Sequence, residues 1–388
     1  MKTPYFLIKE TELDKNILSF KTALNNNWPN SVLGYSIKTN SLPWVLKHMH
    51  KFNVFAEAVS DEEYQLAKMC GYKDNEIIFN GPIKSNGQLK TAIDNGAIVN
   101  IDSQHELAFI KNNNFKRFDT VGLRLNIDVD MFLLEDVGFR EDGFRFGFSE
   151  EDGCLKEAIE LLRSNDNELQ LGLHLHCNSV TRSLEVYKCI AKYASRIIKK
   201  YDLIPSYIDI GGGFFGGIEG KPTADQYISV ITKELSKVVD KNKTTLIIEP
   251  GSAIIGSTID LHTTVVDAKI TKHTRIITTD GSRIHLDPFW KKENYMYSII
   301  SKNTNRYFGK QVICGYTCMD HDRIMQLNNE IILNEGDKII YHRVGAYTMT
   351  FGGPFIRYFP DVYVESSDTI YHIRKEMSVE KYYEIQTN

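Results

Sequence analysis

Four features of this sequence could take part in catalysis or ligand binding, and each lies at the end of a short apolar run. Lys38 stands in "GYSIKTN", His174 and His176 in "HLHCNS", a glycine run in "DIGGGFFGG", and Glu249 in "IIEPGS". Each has a structural interpretation by itself: a surface lysine, core histidines, a tight turn and an ion-paired carboxylate. A carboxylate at the end of an apolar strand can also face a protonatable ring nitrogen. Their repeated position after apolar runs is what indicates a shared site.

The glycine run from Asp209 to Gly217 has more glycine than a turn requires. Without Cβ atoms, backbone amides can close around an anion, and phosphate is the usual ligand of such loops. No Gly-Lys-Ser/Thr follows, so the run is not a Walker loop, and its position does not fit a dinucleotide fingerprint. The run therefore predicts phosphate binding.

The two histidines have an alternative interpretation as metal ligands. His174 and His176 are two positions apart, so in a strand they point to the same side, where they could bind zinc. A zinc site would need further histidine or aspartate ligands on neighbouring strand ends. Those ends offer Arg124, glycines and Glu249 instead, and we predict no metal site.

The apolar runs alternate with helix-like segments along the first two thirds of the chain. This rhythm indicates βαβ units, and eight of them match a (β/α)8 barrel, with a doubly wound open sheet as the alternative. Ser60 and Glu63 have the spacing of a helix capping box. In a barrel, functional groups lie at the carboxyl ends of the strands. The eight runs are "VLGYSIKTN", "FNVFAEAVS", "EIIFNGP", "AIVNIDS", "TVGLRLNID", "LGLHLHC", "YIDIGGG" and "TLIIEPG".

The pattern changes after about residue 258, where strand-like segments with little helical periodicity follow. We predict an N-terminal strand over residues 1–22 that joins a β domain. The barrel is predicted over residues 23–258 and the C-terminal β domain over residues 259–388. The fold class is α/β, with a barrel and a second, β-rich domain.

Composition excludes several classes of protein. The 388 residues carry a formal net charge of −4, so no basic stripe is available for nucleic acid. No apolar stretch approaches the ~20 residues that span a bilayer. The start turns polar too early for a secretory signal. The six cysteines show no CxxC pair, which predicts reduced thiols in a cytoplasmic protein.

The sequence resembles the fold-type III amino-acid decarboxylases, which share the alanine racemase fold and use pyridoxal phosphate (PLP). This family includes ornithine, diaminopimelate, arginine and carboxynorspermidine decarboxylases. The resemblance extends over nearly the whole chain, in order, through "YSIKTN", "EAVSDEE", "LRLN", "HCNS", "DIGGGF", "EPGS", "TDG", "CGYTCMDHD" and "GAYT".

The resemblance implies a role for each matching residue. Lys38 would hold PLP as a Schiff base, His176 would stack on the pyridine ring, and Glu249 would pair with the ring nitrogen. Cys318 would come from the partner subunit of a homodimer with shared sites and protonate Cα after CO2 leaves. The other cofactor-binding residues would be Glu57, Arg124, Ser179, Gly212, Gly213, Gly251 and Tyr347.

Glu249 favours decarboxylation over the other activities of this fold. A carboxylate keeps the ring nitrogen protonated, and a protonated ring stabilises negative charge at Cα. Alanine racemases place an arginine there, so racemisation is the less favoured alternative. The third possibility is a relative that has lost catalysis. It is disfavoured because the residues for catalysis are intact, namely Lys38, His176, Glu249 and Cys318.

Two departures from the family pattern concern the substrate. Ser252 follows "EPG" where an arginine is frequent, and Met319 follows the loop cysteine where an acidic residue is frequent. Both departures argue against diaminopimelate as the substrate, and Met319 also weakens the case for ornithine or lysine. Asp280, Asp320 and Asp322 could still bind a distal amine. Arg283 and His285, with Arg357, could bind an anionic tail.

We therefore expect a PLP-dependent carboxy-lyase acting on an L-amino acid or amino-acid conjugate. The "GAYTMTF" and "FIRYFPDVYV" segments resemble decarboxylases of citrate-type siderophore pathways. The alternative substrate is a diamino acid, namely ornithine, lysine or diaminopimelate. No nucleic-acid or membrane partner is expected.

Overall fold

The computed structural model describes residues 1–116, 119–165, 170–302 and 305–387. The chain divides into two compact units, Asn16–Ile254 and Met1–Lys15 together with Ile255–Asn388. The boundaries expected from the sequence, after residues 22 and 258, remain predictions of where independent domains meet.

The first unit contains the predicted barrel. Within the described residues, eight parallel strands pair in sequence order and the last, β9, pairs with the first, β2, which closes the ring. This closure confirms the barrel and excludes the open sheet. The strands are β2 (Ser31–Ser36), β3 (Phe55–Ala58), β4 (Ile77–Phe79), β5 (Ile98–Ile101), β6 (Val121–Arg124), β7 (Gly172–His174), β8 (Tyr207–Asp209) and β9 (Thr245–Ile248).

Helices follow the barrel strands and present apolar faces to them. The longest described helix between two barrel strands is α7. It is preceded by Ser183, whose hydroxyl accepts the Val186 amide 3.3 Å away. Such caps satisfy amides that the first turn leaves unpaired. The helices are α1 (Glu10–Asn27), α2 (Pro43–Lys51), α3 (Asp61–Met69), α4 (Asn86–Asp94), α5 (Gln104–Lys111), α6 (Cys154–Asn165), α7 (Leu184–Lys200), α8 (Ala224–Leu235) and α9 (Ser252–Ile255).

The capping box expected at Ser60 and Glu63 is present in part. Ser60 Oγ accepts the Glu63 amide at 3.2 Å, as predicted. The Glu63 carboxylate accepts the Val59 amide at 2.9 Å, one residue before the expected Ser60 amide. The start of α3 is therefore held from both sides, directly after strand β3.

Side chains fill the barrel interior below the strand ends. Ile78, Tyr207 and Ile247 form a buried cluster. A Cβ atom on Gly172 would lie 2.1 Å from Cζ of Tyr207, so the ring needs the glycine beside it. The interior is a packed core, and the charged residues of the candidate site lie toward the carboxyl ends of the strands.

The second unit is built mainly of strands. The N-terminal strand β1 (Tyr5–Lys9) pairs antiparallel with β10 and parallel with β16, as the strand-like "YFLIKE" suggested. The remaining strands are β10 (Ile259–Thr271), β11 (Thr274–Thr279), β12 (Met296–Ile300), β13 (Tyr307–Cys314), β14 (Arg323–Ile331), β15 (Lys338–His342), β16 (Asp361–Ser366) and β17 (Thr369–Arg374). Short helices α10 (Arg283–Leu286) and α11 (Thr348–Phe351) and the terminal α12 (Val379–Thr387) complete the unit.

None of the helices in the described ranges is both long and apolar enough to cross a membrane.

Candidate active site

Lys38 lies two residues beyond the end of strand β2, in a single 3-10 turn formed by Ile37–Thr39. Its Nζ atom donates to Oγ of Ser36 and to Oε2 of Glu57, each at 2.7 Å. The Lys38 side chain is 43% exposed, whereas that of Glu57 is 2% exposed. The amine is thus fixed by a buried carboxylate while it remains open to a molecule entering the barrel mouth.

Glu57 is held in its charged form. Burial raises the pKa of Glu57, but the charge of Lys38 and the hydrogen bonds from Lys38, Ser36 and Asn80 outweigh burial, so the pKa is lowered. Ser36 Oγ donates to Oε2 of Glu57 at 2.5 Å. The carboxylate therefore orients the lysine amine, as an ion pair at the strand end.

Glu249 and Asp209 form a second buried acidic pair, at the ends of strands β9 and β8. Burial and the negative charge of Asp209 raise the pKa of Glu249 well above its ordinary value. Burial also raises the pKa of Asp209 to about 6, opposed by hydrogen bonds from Glu249 and the Gly211 amide. Glu249 therefore carries a proton and shares it with Asp209.

Amide side chains connect these two acidic groups. Asn80 Nδ2 donates to Oε1 of Glu249 at 2.7 Å and to Oε1 of Glu57 at 3.2 Å. Asn100 donates to Asn80 Oδ1 at 2.8 Å, and the Tyr207 hydroxyl donates to Asn100 Oδ1 at 2.8 Å. A polar network thus runs across the barrel below the site.

Sequence reasoning missed this network. Asn80 directly follows β4 in "EIIFNGP", so the strand-end rule that selected Lys38 would have selected it. Asn100 is the third residue of β5, and no strand-end rule selects it. Tyr207 opens its strand and gave no such signal. Its hydroxyl reaches the site because a tyrosine ring spans the barrel interior.

The two histidines of "HLHCNS" lie in different environments. His174 is buried, and neither of its ring nitrogens has a hydrogen-bond partner within the described residues; Nε2 lies 3.9 Å from Oε2 of Glu249. His176 is half-buried, and its Nδ1 atom also lacks a described partner. Burial and the charges of Arg124 and Lys38 lower the pKa of His176 to about 3, so the ring is neutral.

A possible metal-binding group lies beside this pair. Ligand atoms of His174, Asp209 and Glu249 come within 4.8 Å of one another. His176 is not part of the group, so the two histidines do not form the pair of ligands considered from the sequence. The shared proton of the two carboxyl groups instead suits a basic ring nitrogen.

Arg124 ends strand β6 and is held by Asp102. Its Nη1 atom donates to Asp102 Oδ2 at 3.1 Å, and its guanidinium lies 4.4 Å from the centre of the Phe146 ring. Asp102 is in turn next to Glu106, which accepts the Asp102 amide at 2.7 Å and pairs with buried Lys84 at 2.8 Å. These contacts fix the Arg124 cation at the rim.

The glycine run forms a close backbone cradle. Gly211 has φ of +67°, and a Cβ there would lie 2.7 Å from Cβ of His176. A Cβ on Gly212 would lie 2.3 Å from the Glu249 carbonyl oxygen. Within the part of the chain that the structure describes, the amides of Gly212 and Gly213 donate to no other group. Two backbone donors are therefore available to an anion.

Two other predicted cofactor-binding residues flank this cradle. Gly251 passes Thr39 so closely that a Cβ would lie 2.0 Å from Oγ1 of Thr39, next to Lys38. Ser179 Oγ donates to the Asp136 carbonyl at 3.1 Å and accepts the Arg182 amide at 2.8 Å. The hydroxyl proton of Ser179 is therefore already in use.

The other predicted residues lie in the second unit. Cys318 and Asp320 are exposed in the loop after β13, and Met319 is half-buried. Asp322, in contrast, is buried and accepts Ser282 Oγ at 2.9 Å, the Arg283 amide at 3.0 Å and Thr317 Oγ1 at 2.7 Å. Its carboxylate is engaged in holding the loop.

Asp280 and His285 are also engaged within the second unit. Asp280 is buried and accepts Thr3 Oγ1 at 2.6 Å and the Thr264 amide at 2.7 Å. His285 is buried, and burial lowers its pKa to about 4. The Asp280 carboxylate is thus already paired, whereas Nδ1 of the buried His285 has no hydrogen-bond partner among the described residues.

Arg283 and Tyr347 are more open. Arg283 pairs with Asp287 at 3.2 Å and also donates to the Lys292 carbonyl. Tyr347 is half-buried beside Phe289 and has φ of +66°, a left-handed conformation that is uncommon for a residue with a side chain.

The barrel residues fit PLP. Lys38 provides an amine, Glu249 provides a buried carboxyl group whose pKa is raised, neutral His176 provides a flat surface, and the glycine cradle provides free amides. Each group complements a different part of this one molecule: aldehyde, pyridine nitrogen, ring face and phosphate.

Comparisons with known proteins agree. Residues 11–256 match the family model described as "Pyridoxal-dependent decarboxylase, pyridoxal binding domain". The probable chloroplastic diaminopimelate decarboxylase of Oryza sativa subsp. japonica is 26% identical, over 98% of this chain and 79% of that protein. The L-glutamyl-[BtrI acyl-carrier protein] decarboxylase of Niallia circulans is 23% identical, over 90% of this chain and 85% of that protein.

Solved structures share the fold. Diaminopimelate decarboxylase from M. jannaschii in complex with L-lysine superposes with a TM-score of 0.82 at 21% identity, over 98% of this chain and 91% of that chain. The family model covers more than half of the chain, and the barrel supplies the residues that the cofactor requires. The chain belongs to the pyridoxal-dependent decarboxylases, and its cofactor is PLP.

Proposed function

We propose that this carboxy-lyase removes the α-carboxylate of a diamino acid of the ornithine, lysine and diaminopimelate class. The observation that supports decarboxylation most is the buried Glu249 beside Asp209, on the same rim as Lys38, where burial and the Asp209 charge raise the pKa of Glu249. The relatives that are diaminopimelate decarboxylases support the diamino acid class more than the siderophore conjugate that the sequence suggested. The free diamino acid is therefore placed before the conjugate, which is the reverse of the order expected from the sequence.

The barrel residues have separate roles in this proposal. Lys38 binds the cofactor covalently, and Glu57 orients its amine. Glu249 holds a proton for the pyridine nitrogen. His176 packs against the ring, and Arg124 lies near it. When bound, PLP supplies a ring that stabilises negative charge at Cα of the substrate.

The phosphate group of the cofactor requires several donors. The free amides of Gly212 and Gly213 are the main candidates, with Gly251 allowing the chain to pass closely. Ser179 and Tyr347 are proposed on the basis of the resemblance. Ser179 would have to give up its bond to the Asp136 carbonyl to donate to phosphate.

Cys318 is proposed as the acid that completes the reaction. The bond between Cα and the carboxylate breaks, CO2 leaves, and the electron pair remains at Cα until a proton arrives from the Cys318 thiol. The thiol is exposed and lies in a loop whose base is held by Asp322. We propose a cytoplasmic homodimer in which this cysteine serves the site of the partner subunit.

Selection of the substrate is assigned to exposed or half-buried positions of that loop, Met319 and Asp320, and to Arg283. Three other candidates are omitted. The carboxylates of Asp280 and Asp322 are hydrogen-bonded within the second unit, and the side chain of His285 is buried there.

A conjugated amino acid is the second candidate. Ser252 and Met319 are neutral at two positions where charged residues are frequent in the family. A relative that acts on L-glutamyl-[BtrI acyl-carrier protein] shows that the family includes an enzyme for a carrier-bound amino acid. The neutral Met319 suits a substrate whose distal group is not a free ammonium.

A panel of substrates separates the two candidates. The purified enzyme with added PLP would be supplied with L-ornithine, L-lysine, meso-diaminopimelate, citrate-conjugated diamino acids and an L-glutamyl thioester, and CO2 release measured. Rates of about 1 per second or more on a free diamino acid, in the range of typical enzymes, support the lead proposal. Turnover of a conjugate only would replace it, and chiral analysis of unreacted substrate would detect racemisation.

A further inference from the structure

Arg182 is a cation beside the glycine cradle that neither the sequence motifs nor the comparisons assign. It lies in the loop between β7 and α7, three residues after Ser179. Its Nη1 atom donates to Oγ of Ser252 at 3.4 Å. Ser252 is the position at which an arginine is frequent in the family, so a guanidinium from elsewhere in the chain reaches the place where one is missing.

The backbone of Arg182 is fixed from both sides. Its amide donates to Ser179 Oγ at 2.8 Å, and its carbonyl accepts the Tyr227 hydroxyl at 2.6 Å. Arg182 has φ of +52°, a conformation that a residue with a side chain keeps only where its surroundings enforce it. The loop therefore presents the arginine side chain in a defined direction.

The guanidinium lies over the aromatic ring that continues the glycine run. Its Cζ is 5.4 Å from the centre of the Phe215 ring. Among the described residues, Arg182 forms no salt bridge with a carboxylate, whereas Arg124 is paired with Asp102 at 3.1 Å. Arg182 therefore brings a positive charge to the cradle that no protein anion neutralises.

The cradle needs such a charge. Its free donors are the amides of Gly212 and Gly213, which carry no net charge, and the hydroxyl proton of Ser179 is used by the Asp136 carbonyl. A phosphate dianion is held best where charge-assisted hydrogen bonds are available, and a guanidinium provides them in pairs.

We propose that Arg182 binds the phosphate of PLP. Its guanidinium comes from the β7–α7 loop and takes the place of the arginine that is frequent in the family at the position of Ser252. This inference rests on the assignment of PLP to this site. It predicts that the energetic contribution of Arg182 depends on the phosphate group and not on the pyridine ring.

The test compares two ligands on the protein freed of cofactor. Kd would be measured by absorbance titration for PLP and for pyridoxal, which lacks the phosphate, with wild type, Arg182→Gln, Arg182→Lys and the double variant R182Q/S252R. We expect Arg182→Gln to weaken PLP binding on the order of 10- to 100-fold and to leave pyridoxal binding within about 2-fold, in the range of a hydrogen bond to a charged group.

The other variants complete the expected pattern. Arg182→Lys should keep part of the PLP affinity, and the double variant should recover most of the loss, because it returns a guanidinium at residue 252. Lys221→Gln is the matched control: its Nζ lies 5.1 Å from the same Phe215 ring but the residue is exposed. It should change neither Kd by more than about 2-fold.

Several outcomes would overturn the proposal. An equal loss of PLP and pyridoxal affinity would mean that Arg182 only shapes the loop. Unchanged PLP affinity, with or without a raised KM for substrate, would remove it from the phosphate site. An effect of Lys221→Gln as large as that of Arg182→Gln would indicate a general electrostatic effect of nearby positive charge, and not a specific contact between Arg182 and the phosphate. Failure of wild type to bind PLP would instead contradict the cofactor assignment.

Discussion

The rim of the barrel and the Cys318 loop of the second unit use polar residues in opposite ways. At the rim, the chemically important groups are themselves buried or tied to buried partners: Lys38 to Glu57, and Glu249 to Asp209. In the loop, the buried group is Asp322, which only holds the backbone, while Cys318 and Asp320 are exposed.

The difference separates a fixed reaction centre from an adjustable one. Buried, fully paired groups have defined protonation states, which a cofactor requires. Exposed loop positions can change without loss of the fold, and this is how substrate preference varies within one family. The chain keeps Lys38, His176 and Glu249 at the rim. It departs from the family pattern at Ser252, which follows β9, and at Met319, in the loop.

The largest effect should follow removal of the rim amine. Lys38→Ala should lower kcat by about 10⁴-fold or more, because the covalent attachment of the cofactor is lost. Borohydride should fix an absorbance band near about 420 nm to wild type and not to the variant. Lys47→Ala, an exposed lysine of α2, is the control and should behave as wild type. A borohydride-stable adduct on Lys38→Ala would place the attachment elsewhere.

Glu249→Gln should lower kcat by about 10³-fold, because an amide cannot hold a proton on the ring nitrogen. It should also change the pH dependence of stability in the protein freed of cofactor. The pKa of Glu249 is raised on folding, so wild type loses stability as the pH rises above the ordinary value of 4.5 and the unfolded chain ionises.

Thermal unfolding between pH 5 and pH 8 checks this second effect. The Tm of Glu249→Gln minus that of wild type should increase with pH, since glutamine does not titrate. A difference that decreased with pH would mean that Glu249 is ionised in the folded protein and that its proton is not shared with Asp209.

Cys318→Ala should have a smaller effect, lowering kcat by about 10²-fold with little change in KM, because water can replace the thiol as a proton donor. The spectrum of the bound cofactor should not change. Cys314→Ala removes the neighbouring half-buried thiol and should leave kcat within about 2-fold. A changed cofactor spectrum in Cys318→Ala would contradict a role confined to the protonation of Cα.

The smallest effects should distinguish the two aspartates of the loop. Asp322→Asn should lower the free energy of unfolding by about 1–3 kcal/mol, because its carboxylate accepts several hydrogen bonds in a buried position. Asp320→Asn should leave that free energy within about 0.5 kcal/mol and change KM instead. Urea unfolding measures the free energy of unfolding, and steady-state kinetics measure KM. A loss of stability in Asp320→Asn, with KM changed in Asp322→Asn instead, would remove Asp320 from the substrate site.

The barrel was predictable because its signal is local. Its eight strands are apolar runs, most of which end in a polar or small residue, and several of the helices between them begin at serine or threonine caps such as Ser183. The residues Lys38, Arg124 and Glu249 follow from strand ends alone, because parallel strands bring those ends to one rim.

The protonation states and the network were not predictable in this way. The proton on Glu249 depends on Asp209, 40 positions earlier, and on burial that no single strand reveals. The same limit explains Asp322: an aspartate three residues after Met319 is indistinguishable in sequence from a substrate ligand until Ser282, Arg283 and Thr317 are seen to surround it.

The pairing of the first and last barrel strands has a consequence for protein synthesis. Lys38 and Glu249 follow β2 and β9, which meet only where the ring closes. They lie 211 positions apart (249 minus 38), so the ribosome makes the glutamate on the order of 10 to 40 seconds after the lysine. A nascent chain therefore carries the lysine amine long before it has the glutamate that shares its rim, and the ring that brings the two together closes only after β9 is made.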